Sequence, residues 1–349
     1  MERVRLQYID LLKFFAIFSI IALHVFLVWP KAKVMGIKVY SLSSIVRFGV
    51  PVFIMISGAL LLNRDIEIGS FLKKRINRIT YPFLFFYIIT FIFIALTNHT
   101  HEQQNIFAFR WYFWTILGVY LSIPIINKYI QHSSLKEIEY FIYIFIFASI
   151  FYQFTYFFEI KQYFYLTLFL SPLGYLVLGY YLSKKDFNLS TSKMIVISII
   201  LFILSTSIKI CGQLGYIPIT ENFVASQSVI LSSWLDVSFI GILQAASFFL
   251  LCKSIYEASK GIFSPIKKFL ESNIISKFVL SVSRASYGMY LINLIPTVIV
   301  YYYIQPMNLT GSQVFLAIPL ISIIIFLVSW IIIVILCKIP YIKYVSGYS

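Results

Sequence analysis

The chain has 349 residues, of which 60% are hydrophobic and only 12% charged, and its mean hydropathy is +0.89. So little polar material cannot cover a soluble protein of this length, which excludes a soluble globular domain. The formal charge of +15 is not a nucleic-acid signal, because the lysines and arginines stand in short runs between apolar stretches, as membrane topology requires. Anionic lipid headgroups, or a polyanionic cofactor at the cytoplasmic face, account for the excess.

A membrane-crossing helix needs about 20 mostly apolar residues. In chain order that predicts about ten spans, near 10–29, 45–62, 79–97, 111–127, 140–158, 163–182, 194–210, 227–252, 278–303 and 313–337. The expected fold is therefore an all-α integral membrane protein, a single polytopic domain over residues 1–349. No internal repeat and no low-complexity tract interrupts it. The first apolar run continues to Trp29 and Pro30 without a small-residue cleavage site, so it reads as a span and not as a signal peptide. Cys211, Cys252 and Cys337 are far apart and form neither a disulfide framework nor a metal motif.

Most of the 28 Lys and Arg residues fall on the same side of these spans as the N-terminus. Only Lys31, Lys33, Lys38, Arg47, Arg110, Lys161 and Lys209 fall on the other, and Lys13 and Arg284 lie within spans. The positive-inside rule then places both termini in the cytoplasm.

The first span reads DLLKFFAIFSIIALH from Asp10 to His24. Lys13 and His24 are eleven residues apart, close to three whole turns, so they share a face about 16 Å apart along the axis. Asp10, three residues before Lys13, shares that face. Near the cytoplasmic boundary Asp10 and Lys13 read either as an interface pair or as part of a functional stripe. His24 lies deeper, roughly 21 Å from the start of its span. His99, His101 and His132 are in loops, so His24 is the one histidine in a span. An ionisable side chain at that depth points to function, and a histidine suits activation of a hydroxyl by proton removal.

The basic residue, ten residues, then histidine arrangement from Lys13 to His24 resembles the signature of the membrane acyltransferase-3 family. That family includes surface-polysaccharide and peptidoglycan O-acetyltransferases. Other stretches are similar to the family in the same order: FGVPVFIMISGALLL (Phe48 to Leu62), KKRINRITYPFLFF (Lys73 to Phe86), RWYFWTILGVYLSIPII (Arg110 to Ile126), LGYYLSK (Leu178 to Lys184) and SRASYGMYLIN (Ser283 to Asn293). One departure stands out: family members often carry a second histidine where this chain has Asn293. The resemblance thus implies an O-acyltransferase with His24 as its single candidate base and acyl-CoA, acetyl-CoA first, as co-substrate. Members with an appended SGNH hydrolase-like domain pass the acyl group onward through it. This chain stops at Ser349 without one, so it is expected to complete the transfer itself.

Arg75 and Arg78 are three residues apart on one helical face. Two guanidinium forks suit a pyrophosphate or 3′-phosphate, and beside Lys73 and Lys74 they also read as a topology anchor. The resemblance favours coenzyme A phosphates. Ser57 and Gly58 read as packing residues, since no flanking glycine makes a nucleophile elbow. Asp236, placed in the eighth span, either orients a substrate hydroxyl or His24, or faces water. Tyr287, with Tyr290 and Arg284, reads as cavity lining or aromatic belt. Trp111 and Trp114 read as interface anchors or as platforms for a sugar ring. No His, Cys, Asp and Glu cluster has metal-ligand spacing.

The expected partners are acyl-CoA, a cell-surface or lipid-linked glycan acceptor and membrane lipids, with no nucleic acid; a homo-oligomer is compatible. An exporter of a polysaccharide or its lipid-linked precursor is the alternative. It too would use an intramembrane His and Asp, although no inverted repeat or pair of broken helices supports it.

Overall fold

A computed structural model describes residues 7–28, 41–97, 111–157, 169–214, 236–258, 260–304 and 311–348. Within them the chain is all-helical, as expected, with twelve α-helices and no strand. These are α1 (Gln7–Val28), α2 (Gly49–Leu61), α3 (Ile68–Thr97), α4 (Trp111–His132), α5 (Leu135–Phe157), α6 (Pro172–Lys184), α7 (Thr191–Gln213), α8 (Phe239–Glu257), α9 (Ser264–Glu271), α10 (Asn273–Ile292), α11 (Leu294–Ile304) and α12 (Gly311–Leu336). Short 3-10 turns occupy Ser43–Val46 and Ile342–Tyr344.

Seven helices among the described residues are long and apolar enough to cross a membrane, and an eighth crossing results if α10 and α11 count as one bent span. The two predicted spans not among these are α5 and α6. α6 has 13 residues, about 20 Å of helix against a hydrocarbon core of about 30 Å, and residues 163–168 of that predicted span lie outside the described residues. α5 opens on Leu-Lys-Glu-Ile-Glu, which lowers its apolar character, though Phe147, Ile150 and Phe154 are exposed in the manner of lipid-facing side chains. The third helix is longer than predicted. It begins at Ile68, and its 30 residues exceed the bilayer core by several turns.

The chain divides into two compact units. The first comprises Met1–Ala16, Arg47–Asp65 and Ser122–Leu280. Its α2 and α6 cross at backbone-contact distance because of two glycines. A Cβ on Gly58 would overlap the Leu176 carbonyl, and one on Gly179 would overlap the Met55 backbone. With no aqueous hydrophobic effect between helices in lipid, such close approach is what holds spans together. Ser57 donates to the Phe53 carbonyl at 3.2 Å, a local bond in keeping with its reading as a packing residue. α7 and α8 run along each other, and Phe48 lies 4.2 Å from Phe248 between ring centroids. Serines start three of the helices: the side chains of Ser171, Ser190 and Ser238 accept from the backbone N–H of Leu173, Lys193 and Gly241, satisfying otherwise orphaned donors. At the other end of α6, Lys253 Nζ donates to the carbonyls of Leu182 and Ser183 at 3.0 and 3.2 Å, where a cation meets the negative helix terminus.

The second unit comprises Ile17–Val46, Ile66–Leu121 and Ser281–Ser349. α3 and α4 meet through Phe83 and Phe113, stacked at 3.8 Å. α10 is tied to α3 by the Tyr287 hydroxyl, which donates to the Ile79 carbonyl at 2.8 Å. It is tied to α12 by Trp330 Nε1, which donates to Ser281 Oγ at 3.0 Å. α11 packs on α3 through Ile94, Leu294 and Val298.

The glycine crossing gives a direct test. Gly179→Val should push α6 off α2 and lower the stability of the detergent-solubilised protein by about 1–3 kcal/mol, the usual cost of overpacking. Thermal unfolding read against Gly118→Ala checks this, because a Cβ on Gly118 meets nothing within 4 Å.

Candidate functional site

His24 lies near the C-terminal end of α1 and is 6% exposed. Its Nδ1 is 2.7 Å from Asn293 Oδ1. Asn293 is the residue between α10 and α11, where the helical path bends by 61°. Pro296 explains the break. It has no N–H to offer the Ile292 carbonyl, and its ring would collide with that carbonyl in a continuous helix. The side-chain amide of Asn293 folds back on the buried end of α10, its Nδ2 donating to the carbonyls of Tyr290 at 2.6 Å and Met289 at 3.2 Å. Thr297 Oγ1 in turn donates to the Asn293 carbonyl at 2.6 Å.

That arrangement sets the histidine tautomer. Both Nδ2 hydrogens of Asn293 point to backbone carbonyls, so the atom facing His24 is the oxygen, which can only accept. His24 Nδ1 must then carry the hydrogen, and in the neutral ring Nε2 carries the lone pair. Chemically, such a ring can take a proton at Nε2 while Nδ1–H stays anchored.

Arg75 and Arg78 lie in the N-terminal part of α3, which starts eleven residues before its predicted span. Arg75 sits 5.8 Å over the Phe71 ring and is half-buried, while Arg78 is exposed. Both are close enough to Tyr120 of α4 for their charges to act on its hydroxyl. Tyr112 of α4 meets Tyr290 edge-on at 5.4 Å, and Tyr290 stacks with Tyr287 at 6.4 Å. Tyr287 reaches the backbone of Ile79, next to Arg78. The second unit therefore holds His24, Asn293, Tyr287 and both arginines on α1, α3 and α10 and their junctions. Asn293 and Tyr287 are six residues apart, about 9 Å along α10.

Trp111 and Trp114 also belong to this unit, at the start of α4; Trp111 is half-buried and Trp114 is 64% exposed. Asp10 and Lys13 are half-buried on the part of α1 that belongs to the first unit. α1 itself is unbroken from Gln7 to Val28.

Asp236 differs from its expected place. It precedes α8 and does not lie within it, residues 227–235 of the predicted span being outside the described residues. It is 6% exposed and so does not face water. Lys209, counted from sequence on the side opposite the N-terminus, lies in α7 and pairs with Asp236 Oδ2 at 2.5 Å. Asp236 Oδ1 accepts from the Ser238 hydroxyl at 2.5 Å and the Ser238 N–H at 3.1 Å. Lys209 also donates to Gln244 Oε1 at 2.9 Å, and Gln244 donates to Thr206 at 2.7 Å. Gly241 is required beside this pair, since a Cβ there would overlap the carboxylate. Among the described residues, no three His, Cys, Asp or Glu side chains converge as a metal site.

These features define a polytopic membrane protein with a buried, oriented histidine and an arginine-bearing helix in the same unit. The chain belongs to the acyltransferase 3 family, whose model, described as an acyltransferase domain, matches residues 6–334. It is thus a membrane-bound protein of an acyltransferase family, for which an acyl donor and an acceptor are implied. Neither the curated proteins nor the solved structures contain a match to the chain.

The ion pair yields a prediction of its own. Asp236→Ala leaves the Lys209 ammonium buried without its carboxylate and should cost about 3–5 kcal/mol. The double variant Lys209→Met, Asp236→Asn keeps an acceptor for Ser238 and removes both charges, so it should recover most of that loss in thermal unfolding.

Proposed function

We propose that this protein is an integral membrane O-acyltransferase that moves an acyl group, acetyl first, from cytoplasmic acyl-CoA to a hydroxyl of a cell-surface or lipid-linked glycan. The observation that carries the reading is the hydrogen bond between His24 and Asn293, which leaves Nε2 as the basic atom of a buried imidazole. In the proposed reaction Nε2 takes the proton from the acceptor hydroxyl as its oxygen attacks the thioester carbonyl. The C–O bond forms, the C–S bond breaks, and the proton passes from His24 to the departing coenzyme A thiolate.

Arg75 and Arg78 are the proposed phosphate ligands, with their planar forks suited to bidentate contacts. Asp10 and Lys13 are proposed to form the polar start of the same helix that carries His24. Trp111, half-buried, is the aromatic residue we retain as a platform for the sugar ring, whereas the exposed ring of Trp114 suits lipid. Tyr287 is retained as the tie between α10 and the arginine helix, and Asp236 as an acid already engaged by Lys209.

Kinetics on purified, reconstituted protein test these roles separately. His24→Ala should cut turnover by about 100- to 10,000-fold, the usual worth of a general base, with His132→Ala near wild type. Asn293→Ala should lower kcat with little change in KM. Arg75→Ala and Arg78→Ala should chiefly raise KM for acyl-CoA, since a remote phosphate is held equally in ground and transition states. A well-folded His24→Ala protein with normal turnover would remove the mechanism.

The donor is cytoplasmic, so the reading also needs both termini and the Arg75 end of α3 inside. In a background lacking Cys211, Cys252 and Cys337, a cysteine replacing Gln313 should react with impermeant maleimide in intact cells. One replacing Asn188 should react only after permeabilisation. The reverse pattern would put Arg75 and Arg78 outside and contradict the acyl-CoA assignment.

A further inference from the structure

The α9 helix is unlike the others. It is eight residues long and none of its residues is buried. At 100° per residue, Ile266, Phe269 and Leu270 fall on one face, and Ser264, Lys267, Lys268 and Glu271 on the other. Phe269 is 62% exposed and Ile266 is 44% exposed. The apolar surface continues on both sides, with Ile262 at 88% and Ile274 at 81% exposure. A soluble helix that laid these residues bare would be an aggregation hazard.

Its position in the chain supplies the occupant. α8 is a membrane-crossing helix that ends at Glu257, and α10, the first arm of the bent span, begins at Asn273. Six residues join α8 to α9 and Ser272 alone joins α9 to α10, so α9 is tethered at both ends to membrane-crossing helices. Lys260, Lys267, Lys268 and Lys277 stand in and beside this segment. A short helix with one aliphatic face, one lysine-bearing face and no buried residue has the form of an interfacial anchor. Its cations match the negative potential of an anionic leaflet.

We infer that α9 is a lipid-binding element lying flat in the membrane–water interface, with Ile266, Phe269 and Leu270 in the acyl boundary and Lys267 and Lys268 on anionic lipid headgroups. The apolar face enters roughly 5–10 Å below the headgroups. This inference is independent of the acyl-transfer reading and needs neither His24 nor an acyl donor.

Site-directed spin labelling of the full chain in lipid nanodiscs tests it. With Cys211, Cys252 and Cys337 replaced by alanine, a nitroxide at Phe269→Cys should collide with oxygen several-fold more, relative to a water-soluble nickel complex, than one at Lys268→Cys. The contrast should be larger in phosphatidylglycerol-containing discs than in pure phosphatidylcholine. Equal collision with the nickel complex at both positions would overturn the inference. So would shielding of Phe269→Cys from both reagents, which would mean that protein covers the face. A second measurement leaves the cysteines in place. Phosphatidylglycerol should raise the thermal midpoint of the native protein more than that of Lys267→Gln, Lys268→Gln. An equal rise would overturn the headgroup assignment.

Discussion

The bilayer offers no water to a backbone group, so every N–H and C=O within it must find a partner in the protein. Pro296 breaks that condition in the penultimate span by withholding the N–H that the Ile292 carbonyl would use. The helix ends there, and the Asn293 side chain is spent on the same helix, donating to the carbonyls of Met289 and Tyr290. Once both amide hydrogens are committed, only the oxygen remains to meet His24. The bonds that Asn293 makes to its own backbone thus set the tautomer of a histidine 269 positions away in the chain.

The same scarcity of partners explains why the two buried polar centres differ. Lys209 and Asp236 neutralise each other and draw further bonds from Gln244 and Ser238. Desolvation of two charges is tolerable only when they are satisfied in this way, and a pair so engaged has little left with which to bind or transfer anything. His24 is held by an uncharged amide instead. In a neutral imidazole that donates through Nδ1–H, the lone pair lies on Nε2. On the proposed reading, the histidine and not the ion pair does the acid–base work.

Much of this was legible in the sequence because hydropathy and small-residue placement are local signals. The apolar runs predicted the long helices, and Ser57-Gly58 was readable as a contact; its partner, the backbone around Leu176, was not. His24 declared itself as an ionisable residue within a span. The pairing of Lys209 with Asp236 was hidden, since it joins α7 to the residues before α8 and no periodicity links them. Asn293 stood out only as a missing histidine. The signal that could have placed it was Pro296, three residues on, which marks a break at that point.

The asparagine also bears on what the chemistry can be. Two histidines side by side could share or relay a proton, whereas Asn293 cannot titrate and can only orient. On the proposed reading, a single group must therefore accept the hydroxyl proton and return it to the thiolate. That requirement favours one concerted site over a relay: donor carbonyl, acceptor oxygen and Nε2 must come within hydrogen-bonding reach of one another at the same moment. Arginine contacts to the donor's phosphates would contribute mainly by holding the thioester in that place. The Tyr287 bond to the backbone beside Arg78 ties α3, which carries the arginines, to α10, whose end sets Asn293 against His24. A rigid link of that kind is what positioning demands, and the tyrosine supplies it through one hydroxyl.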